Sequence, residues 1–197
     1  MDASTLAAYD ADAARYARDW DTQPAPQDLY EQLRAWFTPG PTAEIGSGSG
    51  RDAAWLAANG FHVHGFDASA GLLARARAAH PGIPFDVATL PDLAGVARGA
   101  WQNVLCETVI MHLEVAQIAP SVRALMALLR PGGTLYLSWR VTEAASMRDA
   151  AGRLYAAFDK SLVTDALSAG DTIVFDEDGT SVASGRRLQR LVIRRAC

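Results

Sequence analysis

Glu44-Ile45-Gly46-Ser47-Gly48-Ser49-Gly50-Arg51-Asp52 is the stretch on which the fold of this chain turns. A short strand over residues 42–46 leads into it, and a helix over 50–59, closed by Gly60, leads out. Glycines let a backbone take tight angles and approach a ligand closely. The helix that follows offers free amides and a positive dipole end. A glycine-rich strand–helix turn of this kind fits many nucleotide-binding domains. Two details narrow it. The dinucleotide fingerprint places its third glycine at position 51, which here is Arg51. Glu44 also closes the strand itself. So near the turn, a carboxylate would oppose a pyrophosphate but would suit the ammonium of an amino-acid ligand.

Working outward, the chain alternates strands and helices. Strands are predicted at 62–67, 83–87, 101–107 and 134–139, and helices at 69–80 and 115–129, the last ended by Pro131-Gly132-Gly133. Such alternation implies a parallel sheet with helices on both faces. Upstream, Leu6, Tyr9, Ala13, Tyr16 and Trp20 recur at helical spacing over 4–20. A second helix is expected over 28–37. Downstream, 146–168 reads as helix. Residues 172–176 and 188–194 read as strands, with turn chemistry at Asp176-Glu177-Asp178-Gly179. Two strands so close in sequence suit an antiparallel pair at the sheet edge.

With 197 residues, half of them hydrophobic, the chain fits one domain. Residues 1–40 are expected to form a helical lid or substrate cap, 41–140 the ligand-binding core, and 141–197 a helix and edge strands. A net charge of −4 gives no reason to expect nucleic acid as partner. The arginines at 186, 187, 190, 194 and 195 read as a solvated strand and tail. Cys106 and Cys197 do not suggest a disulfide and suit a reducing compartment. No apolar run approaches the roughly 20 residues of a membrane span, and the N-terminus lacks a signal-type core. A cytoplasmic location is expected, as a monomer or homodimer without membrane partners. Asp67 ends the second strand, 21 residues after Gly46, where a carboxylate can accept both hydroxyls of a ribose. It could equally cap the helix that begins near Ser69.

Taken in order, these pieces resemble the class I S-adenosylmethionine-dependent methyltransferases, over about 42–139. The small-molecule branch, with Gly-x-Gly-x-Gly-Arg-Asp at 46–52, is the nearest likeness. The resemblance implies a Rossmann-like, doubly wound, seven-stranded, mostly parallel sheet with an antiparallel C-terminal strand pair. It implies S-adenosyl-L-methionine as cofactor, no metal, and a small-molecule methyl acceptor reacting at oxygen, nitrogen, sulfur or a metalloid. Glu44, Gly46, Ser47, Gly48 and Gly50 would wrap the methionine moiety. Asp67 would hold the ribose beside Ala68. In Phe85-Asp86-Val87-Ala88-Thr89-Leu90-Pro91, Asp86 would accept the adenine amino group and the Val87 amide would meet a ring nitrogen. Cys106 and Glu107 would border the methyl group. Two departures stand out. The fourth strand opens Trp101-Gln102-Asn103 instead of with an aromatic-Asp pair, and no Asn-Pro-Pro-Tyr motif is present.

In such chemistry the protein holds a nucleophile in line and excludes water. A base is needed only if the nucleophile must lose a proton. His112, one turn past the fourth strand, is the first candidate base, or else packs against the cofactor. Glu107 is the second. Arg51 would meet the cofactor carboxylate or an anionic substrate, or lie exposed. Tyr9 and Tyr16 would close over the cofactor or belong to the core, and Arg140 would touch an acidic substrate. Trp20, Met111, Trp139 and Met147 are candidate pocket lining, within a pocket built from 1–37, 107–113 and 140–155. His62 and His64 have no third metal ligand in view. Rival readings are a nicotinamide-dependent oxidoreductase and a catalytically inactive S-adenosylmethionine-binding scaffold.

Overall fold

Apolar side chains alternate along the strands and build two cores on the two faces of one sheet. Ala43, Ile45, Val104, Cys106, Leu135 and Leu137 face one way, and Leu105, Tyr136 and Val192 face the other. The computed structural model describes all 197 residues. Helices α1 (Ala3–Ala11), α2 (Ala13–Thr22) and α3 (Gln27–Trp36) precede β1 (Pro41–Ile45). Then follow α4 (Arg51–Ala58), β2 (His62–Asp67), α5 (Ala70–Ala79), β3 (Phe85–Val87) and β4 (Trp101–Cys106). A single 3-10 turn, Ile110–His112, leads to α6 (Val115–Leu128) and the long β5 (Leu129–Arg140). The chain ends with β6 (Met147–Arg148), β7 (Leu154–Tyr155), the one-turn α7 (Ser161–Thr164), β8 (Thr172–Thr180) and β9 (Arg187–Arg194).

The main sheet has seven strands in the order β3-β2-β1-β4-β5-β9-β8. The first five pair in parallel, β9 runs against β5, and β8 runs against β9. Helix α6 covers one face, while α3, α4 and α5 cover the other. The expected α/β architecture with an antiparallel C-terminal pair is thus the observed one. Because the chain leaves β1 toward β3 and then returns to β4, the order reverses between β1 and β4. The crevice outside those strand ends is where open sheets bind ligands.

Several elements differ from expectation. The N-terminal helix breaks at Asp12 (φ −137, ψ 36). The break folds α2 back so that Tyr9 and Tyr16 meet edge to face, ring centroids 4.8 Å apart. Residues 146–168 are not one helix. Asp149 accepts from the amides of Ala151 and Arg153, and Gly152 takes a left-handed φ of +85, which makes a turn. The strand after it is captured from outside: Leu154 N–H donates to Thr5 Oγ1, and Ala156 N–H to the Met111 carbonyl. Tertiary partners therefore override local helical propensity. Asp176-Glu177-Asp178-Gly179 lies inside β8, not in a turn. Its acids pair across the ladder, Glu177 with Arg190 and Asp178 with Arg187.

Arg190 also corrects the picture of a solvated arginine tail. It is 3% exposed and bonds both Glu177 and Asp28, the latter on α3. Asn103, at the departure in β4, is fully buried and donates to the Thr38 carbonyl and Thr42 Oγ1. It clasps the α3–β1 connection to the sheet. No helix is long and apolar enough to cross a membrane.

Removing one partner of a buried ion pair strands the other charge, at a cost of about 3–5 kcal/mol. In Asp28→Ala, Glu177 still holds Arg190, so the unfolding free energy should fall by less, about 1.5–3 kcal/mol, read as a fall in the urea midpoint.

Candidate active site

A cleft of about 350 Å³ opens at the β1/β4 reversal. Its inner wall is the glycine turn. Gly46 adopts φ +83, and a Cβ there would meet Val109 at 2.2 Å, so no other residue fits. Gly50 caps α4 at φ +87. The turn is anchored by the amides of Gly46 and Ser47, which both donate to the Phe66 carbonyl at the tip of β2 (2.7 and 3.0 Å).

Around this turn, three buried polar atoms have no partner: Glu44 Oε2, Ser47 Oγ and Ser49 Oγ. All three residues line the cleft. Buried polar atoms are ordinarily satisfied, and leaving them bare costs free energy. Burial, then the neighbouring Asp52, pushes the Glu44 carboxyl well above the usual carboxylate range. A cationic group next to Glu44 would reverse that. Arg51 is not free to supply it, because its guanidinium is engaged by Asp52 at 2.9 and 3.0 Å. Tyr30 holds the same carboxylate from α3 (3.0 Å).

Asp67 also lines the cleft. Its two oxygens accept from the Gly48 amide and the Ser69 amide, each at 2.8 Å. The cap of α5 is Ser69, whose Oγ accepts from Leu72 N–H, so Asp67 is not needed for that role. An ionised carboxylate has about four acceptor sites, so these contacts leave Asp67 with acceptor capacity.

The opposite wall carries the titratable groups beyond β4. His112 is buried, and its Nδ1 lies 2.6 Å from the Leu154 carbonyl. That contact places the ring proton on Nδ1 and leaves Nε2 as acceptor for the Tyr9 hydroxyl at 3.0 Å. Burial lowers the His112 pKa to about 4, so the ring is neutral near pH 7. Arg153 reaches the Tyr9 oxygen at 3.4 Å and is itself paired with Asp149. Glu107 accepts from Ser138 Oγ, and burial raises its pKa to about 7.

Of the residues singled out in the sequence, the cleft brings together Glu44, Gly46, Ser47, Gly48, Arg51, Asp67, Glu107 and His112. Tyr9, Trp20, Met111 and Arg140 line it as well. Tyr16 is buried behind Tyr9, and Cys106 and Trp139 belong to the core. Gly50 and Ala68 shape the walls without lining them, and Met147 lies outside, 49% exposed. Asp86 and Val87 line a different cavity, where Asp86 hydrogen-bonds His64 at 2.8 Å. In the β2–β3 pairing Asp86 lies opposite Phe66, and Val87 opposite Asp67. Lining residues that the sequence did not assign to the site include Ser49, Asp52, Arg153, Tyr155 and the 181–188 segment at the β8–β9 turn, where Arg186, read from sequence as part of a solvated tail, reaches the cleft from the sheet edge. Ser49 sits within the quoted turn; the hairpin tip has no local signature.

Residues 43–133 match the family model of a methyltransferase domain. The fold is that of a Rossmann-like methyltransferase. The matched stretch holds the glycine turn, Asp67 and Glu107, and excludes α1–α3 and the β8–β9 pair. No curated protein matches the chain in sequence. Among solved structures, one similar fold is the Burkholderia thailandensis 1,6-didemethyltoxoflavin-N1-methyltransferase with 1,6-didemethyltoxoflavin and S-adenosylhomocysteine bound. It has TM-score 0.79 and 19% identity, over 99% of this chain and 88% of that one. An S-adenosylmethionine-dependent methyltransferase from Mesorhizobium loti gives 0.71 and 20%, over 89% and 100%. The Haemonchus contortus phosphoethanolamine N-methyltransferase 2, in complex with S-adenosyl-L-methionine, gives 0.75 and 13%, over 95% and 57%.

A carboxyl raised to about 7 in the folded chain opposes folding wherever the unfolded chain would ionise it, from about pH 4.5 upward. Its contribution is intact below the unfolded value near 4.5 and is lost as pH rises through about 7. Glu107→Gln should therefore gain stability relative to the parent between pH 5 and pH 8, read from urea midpoints at the two pH values.

Proposed function

We propose that the chain is an S-adenosylmethionine-dependent methyltransferase acting on a small-molecule acceptor. The observation that carries this is the unpartnered Glu44 oxygen beside a side-chain-poor turn at the sheet's reversal point. Its chemistry suits an ammonium, and the match to a methyltransferase-domain model over 43–133 supports the same ligand. When bound, the cofactor supplies an electrophilic methyl group.

The chain's own residues divide the work. Glu44 receives the amino group, and the Gly46–Gly50 backbone lies against the amino-acid chain. Asp67, held by two backbone amides, accepts the sugar hydroxyls. Tyr9 and Trp20 cover the cleft from α1 and α2 and exclude water, which makes the N-terminal helices a lid. Placing an acceptor in line can by itself supply roughly 7–11 kcal/mol of barrier reduction in favourable cases. Where the acceptor must shed a proton, two groups can take it. Neutral His112 accepts at Nε2, either after Tyr9 swings away or through the Tyr9 hydroxyl, which passes its own proton on. Glu107, about half ionised near pH 7, is the second. A nicotinamide reading fits less well, since Glu44 would face a pyrophosphate.

Three experiments test this. Calorimetric titration should show S-adenosylhomocysteine binding and no NAD binding, and Asp67→Ala should weaken the former by at least about 1.5 kcal/mol. Unchanged affinity in that variant contradicts the sugar assignment. Label from methyl-labelled cofactor should enter a small molecule in a metabolite extract; binding without transfer would point to a scaffold. With an acceptor in hand, His112→Ala should slow turnover more than it weakens binding, and the reverse would assign packing to His112.

A further inference from the structure

Four arginines line the cleft: Arg51, Arg140, Arg153 and Arg186. Two are neutralised, Arg51 by Asp52 and Arg153 by Asp149. Arg140 and Arg186 are not: neither guanidinium has a carboxylate partner or a hydrogen-bond acceptor, in a chain of net charge −4. The acids of the cleft, by contrast, cluster at its inner end. Glu44, Asp52, Asp67 and Glu107 all lie around the glycine turn and the tip of β4. The cleft is thus bipolar, acidic within and basic at its outer end.

The basic end is built, not incidental. Arg140 closes β5, opposite Leu188 of β9, and its guanidinium lies over the Tyr155 ring, 4.7 Å from the centroid. That contact orients the planar group and leaves its edge free. Arg186 ends the β8–β9 turn. The Ser181 amide donates to the Arg186 carbonyl at 2.9 Å, and the Gly185 amide donates to the Ser181 carbonyl at 2.8 Å. The turn is tied to α3 as well, since Val182 N–H donates to Asp28, the residue that also holds Arg190. The buried Arg190–Asp28 pair therefore sets the position of the turn that carries Arg186. Arg140 pairs with Leu188, and the Val141 amide donates to the Arg187 carbonyl at 3.0 Å, so the end of β5 sits beside the turn that carries the exposed Arg186. An oxyanion held there would accept charge-assisted hydrogen bonds from both.

We propose that the methyl acceptor carries an oxyanion, a carboxylate or a phosphate, and that Arg140 and Arg186 bind it at the outer end of the cleft. This rests on the methyltransferase reading for the word acceptor, but the oxyanion site is testable without turnover. The aromatic lining of Tyr9, Trp20 and Tyr155 suits a ring between the oxyanion and the inner end.

The test titrates the S-adenosylhomocysteine-loaded protein with benzoate, phenyl phosphate and benzamide, following binding by calorimetry and the arginine Nε–H signals by NMR. At least one of the two anions should bind at millimolar concentration, shift the Arg140 and Arg186 signals, and weaken with added salt. Which anion binds more tightly distinguishes carboxylate from phosphate. Benzamide should bind about tenfold more weakly, and Arg140→Gln should lose about tenfold in anion affinity with adenosylhomocysteine affinity unchanged. Equal binding of benzamide, no anion binding, or anion shifts confined to other arginines would overturn the proposal. So would loss of adenosylhomocysteine affinity in Arg140→Gln, which would give Arg140 to the cofactor. Absence of adenosylhomocysteine binding in the parent protein contradicts the methyltransferase reading instead; the anion titration on the unloaded protein then still decides the oxyanion site.

Discussion

A carboxylate taken out of water needs a partner, and Glu44 has one oxygen without any. It closes the central strand of a parallel sheet, beneath a turn whose glycines leave no side chain to shield it. Much of the surrounding structure fixes this situation in place. The Phe66 carbonyl pins the turn from β2, Asp67 draws in the Gly48 amide, and Arg51 is committed to Asp52 instead of to Glu44. The strand order makes the crevice, and these contacts leave an unpartnered carboxyl oxygen on its wall. Relief of that cost by an ammonium is the free-energy source that the proposed ligand would draw on.

A second constraint runs along the far edge of the sheet. Arg190 is buried between Glu177 on the neighbouring strand and Asp28 on a helix from the other end of the chain. The two acids offset the cost of burying its charge, and the pair to Asp28 links the β8–β9 pair to α3. Asp28 also receives the Val182 amide. One acid therefore couples the N-terminal helices, the sheet edge and the hairpin tip that completes the cleft. His112 has a similar linking role on the opposite side: its ring joins Tyr9 of α1 to the Leu154 carbonyl of β7.

The inner half of the site was legible in the sequence because its signals are local. The glycine turn, the carboxylate at its entry and Asp67 at the next strand end are set by strand–turn–helix geometry within a few dozen residues. The sheet and its flanking helices followed from the same short-range periodicity. The outer half was legible only in part: Tyr9, Trp20, Met111 and Arg140 line the cleft, but the β8–β9 turn that joins them was not foreseen. Residues 146–168 have helical composition, but Asp149 and Gly152 form a turn and Thr5 captures Leu154 from well over a hundred residues away. The acid run in β8 resembles a turn until Arg187 and Arg190 are set opposite it. Asp86 fits a motif in sequence, yet the β2–β3 register directs it to His64 and a separate cavity. The 146–168 segment and the β8 acids differ from expectation because of the partners that packing sets against them.

The most direct measurement is a crystal structure of the protein soaked with S-adenosylhomocysteine. Density for the amino group should lie within hydrogen-bond reach of Glu44, with the ribose hydroxyls on Asp67. An empty crevice under saturating ligand, or the molecule seated elsewhere with Glu44 still unpartnered, would contradict the assignment of this turn as the cofactor's cradle.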